Sequence, residues 1–183
     1  ARLKAKGKNF MFGMLLASSM LPFVVTLVPS LAIWTKLGVY GSFIPLIIPS
    51  IGGGAFNIFL VRMYIMNIPK ALDEAAEIDG CGRLQTLFYI ILPNLLPVIV
   101  TIILFTFTGV WGDYVTPSKY LWGFTNKYTV SIKLATSFKS EFGTMDWPKV
   151  MAACTLITCP VLILVFTFQN YFVRGIVTSG LKD

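Results

Sequence analysis

The chain has 183 residues, of which 56% are apolar and 13% charged; its mean hydropathy is +0.77 and its formal net charge is +7. These proportions exclude an ordinary soluble domain and indicate a membrane protein; the cations flank apolar runs, with no basic stripe interleaved with aromatics, which excludes nucleic acid as a partner. The absence of histidine removes the usual general base and the commonest metal ligand, and Cys81, Cys154 and Cys159 form no CxxC pair, so no metal site, cofactor or catalytic residue is expected.

Arg2, Lys4, Lys6 and Lys8 lead into an apolar run too long for the core of a signal peptide, and no initiating Met is present, so the sequence reads as an internal piece of a longer polypeptide. Four uncharged runs follow: Asn9 to Thr35, Leu37 to Val61, Leu84 to Gly112 and Val150 to Val173. Each exceeds the ~20 residues that cross a ~30 Å hydrocarbon core as helix. The expected fold is an all-α integral membrane protein with about four transmembrane helices, at about 10–34, 41–66, 92–114 and 149–173. Four spans place both ends on one side. The N-tail, the segment after span two and the C-tail carry nine basic residues against six elsewhere, and the four cations beside span one favour a cytoplasmic N-tail. Trp34, Trp111 and Trp147 mark span ends.

Pro22 and Pro29 lie inside span one, and Pro45 and Pro49 lie in span two just before Gly52-Gly53-Gly54. Two readings stay open. Broken helices can line a translocation path, to which Gly52, Gly53, Gly54, Asn57 and Asp113 would contribute; alternatively, Ser50 and Gly54 have the spacing of close helix packing. Arg62 is placed to snorkel to the interface from the end of span two.

Residues 69–93 read PKALDEAAEIDGCGRLQTLFYIILP. Pro69 suits the first position of a helix and Gly80 the left-handed residue that stops one, which predicts a helix from Pro69 to Asp79. At 100° per residue Ala71, Leu72, Ala75, Ala76 and Ile78 share one arc, and Asp73, Glu74 and Glu77 the other. An alanine-rich face is low and smooth, better suited to docking than to filling a core. Asp79 opposes the helix macrodipole, and such a broken rule points to a functional position. The helical pattern restarts at Gly82.

Asp113 meets the end of span three, either lining a polar vestibule or solvated at the interface. In the loop 115–148, the stretch Val130 to Phe138 is amphipathic without a clean period: a helix lying in the interface is expected, and a short strand remains open. No G-x-x-x-x-G-K-[ST] occurs, so the chain is not expected to hydrolyse ATP.

Glu74-Ala75-Ala76, Gly80 after three residues, and Ile90-x-Leu92-Pro93 after nine more resemble the EAA loop of type 1 ABC importer permeases. Trp111-Gly112-Asp113-Tyr114 and the ending Gln169 to Asp183 are similar to the carbohydrate branch, near the second permease of maltose-type or glycerol-phosphate-type systems, and the start of the chain corresponds to the middle of such a permease, about two spans in. The resemblance implies that the whole chain is part of one ABC type 1 transmembrane domain, with a cytoplasmic coupling loop at 69–93 and an external loop at 115–148. It implies a multi-pass permease of a bacterial or archaeal inner membrane, with both ends of this chain cytoplasmic, for sugars. Its partners would be two ABC ATPase subunits, a second permease subunit and an extracytoplasmic solute-binding protein, with Glu74, Ala75, Ala76, Asp79 and Gly80 contacting the ATPase. An importer of amino acids or ions, and a channel or structural membrane protein outside the ABC class, are the alternatives. An intramembrane enzyme lacks both histidine and a pair of acids at depth.

Overall fold

The computed structural model describes residues 2, 5–138 and 145–180, with side chains through Gln169. Lys4 and the side chains of the C-terminal motif beyond Gln169 lie outside the described residues. The described residues form helices and no strand. Among the described residues two segments, Ile44–Asn67 and Trp147–Gln169, are long and apolar enough to cross a membrane, and there are up to four if two broken pairs of helices each count as one span. The expectation of about four rests on those broken pairs.

The breaks have local causes. Span one divides into α1, Lys8–Ser19, and α2, Phe23–Lys36. Pro22 disfavours helical geometry at Leu21 and itself takes ψ 133°, so the expected single helix through Pro22 does not form. Pro29 is accommodated inside α2. Along the second run, α3, Ile44–Ile51, stops before α4, Ala55–Asn67. Gly53 and Gly54 both have positive φ, and a Cβ on Gly54 would meet no atom within 4 Å. The glycines thus interrupt the helix.

The chain forms two compact units. The first comprises Ala1–Leu21, Gly53–Ile103 and Phe168–Asp183. It contains α1, α4, a short α5 (Ala71–Ile78), α6 (Arg83–Asn94) and the start of α7 (Leu96–Gly112). Its core is Ile68, Ile91, Leu95 and Val98, with Val61, Tyr64 and Ile65 of α4 packed against it. Phe12 of α1 stacks on Phe59 of α4 at 6.3 Å. Arg62, at the end of the second run, donates to Asn9 Oδ1 at 3.1 Å and its guanidinium lies 3.8 Å over the Phe12 ring. Both contacts tie α1 to α4.

The second unit comprises Pro22–Gly52 and Leu104–Thr167. Here α8, Val115–Leu121, and α9, Val130–Thr136, build a core of Tyr120, Leu121 and Ile132 with Leu31, Trp34, Leu46 and Tyr128. The stretch from Val130 is thus a helix, which closes the strand alternative. Its Ile132 is fully buried within the unit. Cations complete this packing. Lys119 donates to the Leu27 carbonyl at 3.1 Å and to Ser30 Oγ at 3.0 Å, and Lys127 donates to the Gly41 carbonyl at 2.6 Å. The indole N–H of Trp111 donates to the Ile157 carbonyl of α10, Trp147–Gly180, at 3.0 Å.

Candidate functional site

The helix expected at 69–79 is present as α5. Pro69 and Lys70 stand just outside it and supply carbonyls for its first bonds, from Leu72 at 3.3 Å and Asp73 at 2.9 Å. Asp73 and Glu74 fall in the first turn, where negative charge complements the helix dipole. The C-terminus is a Schellman motif: Gly80 has φ 79° and donates to Glu77 at 3.1 Å, while Cys81 donates to Ala76 at 2.9 Å. Nothing lies within 4 Å of a Cβ on Gly80, so its backbone conformation alone calls for glycine.

The next helix begins at once. Gln85 Oε1 accepts the Gly82 N–H at 2.7 Å, one half of a capping box. Leu87–Ile91 widens into a π-helical turn. Pro93 and Pro97 supply no N–H to the helix ladder, and the side-chain amide of Asn94 donates to the Ile90 carbonyl at 2.7 Å. The segment bends by 69° between Arg83–Asn94 and Leu96–Gly112, as prolines and a π-turn together require.

The helix shows which way each residue faces. Ala76 is 1% exposed and lies against the chain's own fold, whereas Ile78 is 86% exposed, Leu72 and Ala75 are exposed, and Glu74, Asp79 and Gly80 share the open side. The two arcs read from periodicity are both divided. Ala76 leaves the apolar arc to anchor the helix, which removes it from any surface that another protein could touch. Asp73 leaves the acidic arc: its Oδ2 lies 3.2 Å from Arg2 Nη1, with the two side chains 29% and 19% exposed. What remains outward is a short apolar strip with Glu74 beside it.

Of the residues suggested for a translocation path, Gly53 and Asn57 line one groove of about 620 Å³ together with Met11, Phe12, Leu15 and Arg62. Gly52 and Gly54 are not among its lining residues. Asp113 belongs to the second unit, where its Oδ1 accepts the Thr116 N–H at 3.1 Å in the first turn of α8. Arg2 was counted only among the cations that set orientation. Its partner lies 71 positions away, and no local pattern announces such a pairing.

Comparison with known proteins places this geometry in a family. The model of the family described as binding-protein-dependent transport system inner membrane component matches residues 1–178. The probable ABC transporter permease protein YurM of Bacillus subtilis is 34% identical over 183 residues, covering 100% of this chain and 60% of the relative. The sn-glycerol-3-phosphate transport system permease protein UgpE of Pectobacterium atrosepticum is 31% identical over 172 residues, 94% of this chain and 60% of the relative. The maltose/maltodextrin transport system permease protein MalG of Vibrio vulnificus is 29% identical over 188 residues, 100% of this chain and 62% of the relative. The chain thus spans about three fifths of the length of the curated relatives it matches.

Proposed function

The chain belongs to the family of binding-protein-dependent transport system inner membrane components, and on that premise we propose that it is the membrane-spanning part of a sugar ABC importer permease in which α5 is the coupling helix. The named relatives for maltose and glycerol phosphate support the solute class. The observation that carries the role of α5 is its orientation: a helix with Ala76 turned inward keeps Leu72, Ala75 and Ile78 outward beside Glu74. An apolar strip of that kind stays in water only until a partner covers it. The chain itself carries no ATP-binding motif, so the energy of hydrolysis has to enter through such a contact.

In this reading two ATPase subunits each receive one coupling helix, a second permease completes the bundle, and an external binding protein delivers the solute. Asp79 and Gly80 end the docked helix, and the loop is cytoplasmic, as are both ends of this chain. Gly53 and Asn57 face the path, and the spans run at about 10–34, 41–66, 92–114 and 149–173.

Glu74 flanks the strip and pairs with a cation of the ATPase. A rim pair contributes up to about 1 kcal/mol, whereas a buried pair broken from one side costs about 3–5 kcal/mol. The test is Glu74→Lys in the reconstituted complex. Membrane insertion stays intact, ATPase-subunit retention falls and solute-stimulated uptake is lost. Wild-type retention and uptake in that variant would show the glutamate to be merely solvated.

A further inference from the structure

We infer that Arg2 is a positioning residue that ties α5 to the end of α4, so that α4 and α5 turn as one body. One planar guanidinium engages two elements: Nη1 meets Asp73 Oδ2 at 3.2 Å, and Nη2 donates to the carbonyl of Ile68. Ile68 closes α4 with extended backbone and is itself a buried core residue, so the tie runs from α5 into the core of its unit. A fork of fixed geometry held at two points resists rotation of either partner.

The need for such a tie follows from the size of α5. It has eight residues, and its one buried side chain is that of Ala76, a single methyl group. A methyl contact cannot by itself fix the direction in which a short helix presents its outer strip. The ion pair can, and water replaces it poorly: the two side chains are only 19% and 29% exposed, and among the described residues Arg2 Nε and Asp73 Oδ1 have no other partner. Only Pro69 and Lys70 separate the Ile68 carbonyl from α5, which places the clamp at the hinge where the helix would pivot.

The consequence for transport rests on the reading of α5 as the coupling helix; the tie does not. With the clamp broken, α5 still meets its partner but follows it loosely, so ATP is consumed with less solute moved.

The test uses the full-length permease in its assembled complex in lipid nanodiscs, and follows hydrogen exchange of the amides of residues 72–81 alongside solute uptake per ATP hydrolysed. Arg2→Ala accelerates exchange about tenfold, the scale on which losing one partly buried ionic contact opens a local element. Arg2→Lys, which can hold only one of the two acceptors well, falls between. The exchanged pair Arg2→Asp with Asp73→Arg recovers much of the protection that either single reversal loses. Asp73→Asn keeps the shape of the side chain and guards against gross misfolding; it too accelerates exchange. Wild-type exchange in both Arg2→Ala and Asp73→Asn, or no recovery in the exchanged pair, overturns the inference. Faster exchange with uptake per ATP unchanged would instead leave the tie standing and remove α5 from coupling.

Discussion

Gly41 and Gly80 occupy nearly the same backbone conformation, at φ 75° and 79°, yet the regions around them differ in kind. A Cβ on Gly41 would lie 2.4 Å from the Phe124 ring, whereas one on Gly80 would meet nothing within 4 Å. Around Gly41 the segment 115–136 finishes its own packing: Leu121 and Ile132 are fully buried, and Lys119 and Lys127 donate to carbonyls of the same unit. Around Gly80 the loop finishes only its backbone, through the Schellman bonds and Gln85, and leaves its apolar strip outward. One region carries a buried core of its own, and the other presents an apolar strip that, on the proposed function, a partner covers.

The widest separation comes from the two isoleucines. Ile132→Ala removes a fully buried side chain and destabilises the protein by about 2–5 kcal/mol, whereas Ile78→Ala, at 86% exposure, stays within about 0.5 kcal/mol. Thermal unfolding of the two variants in detergent reads the difference; equal costs would erase the contrast.

The glycines come next. Gly80→Ala costs the backbone penalty alone, about 1–2 kcal/mol, and Gly41→Ala adds about 1–3 kcal/mol of overpacking against Phe124. The same unfolding assay, with both variants side by side, checks the order. If Gly80→Ala proved the costlier of the two, the loop would be packed more tightly than its geometry shows.

The smallest effect belongs to Asp146, ahead of α10. Its carboxyl is held below the ordinary 3.8, chiefly by the hydrogen bond from Lys149, whose Nζ lies 2.7 Å from Oδ2. A depressed carboxylate contributes stability that is present above its unfolded pKa and lost as pH falls through the folded value. Asp146→Asn therefore lowers the melting temperature slightly near neutral pH, and the difference from wild type closes below about pH 3.8. A difference that persisted unchanged in strong acid would assign the effect to something other than this carboxylate.

The two regions were also unequally legible in the sequence. The α5 loop was readable because its signals are local: Pro69 opens it, Gly80 closes it, and the helical pattern restarts at Gly82. Which side of α5 faces inward was not, because a period defines an arc without saying what lies opposite it, and Asp73 pairs with the sequence-distant Arg2. The segment after Val130 had no clean period, because only Ile132 is fully buried while Val130 stays half open. The break at Pro22 was visible as a proline in an apolar run, yet run length alone counted it as a single span.

Cysteine accessibility tests most directly whether the ATPase subunit covers the outer strip of α5, as proposed. In a full-length permease with Cys81, Cys154 and Cys159 replaced by alanine, Ala75→Cys and Ile78→Cys would be labelled with a membrane-impermeant maleimide with and without the ATPase subunits, alongside Ala76→Cys. Both outward positions react freely in the permease alone and are protected once the ATPase binds, while position 76 stays unreactive throughout. Labelling of positions 75 and 78 that is unchanged by the ATPase would contradict the account.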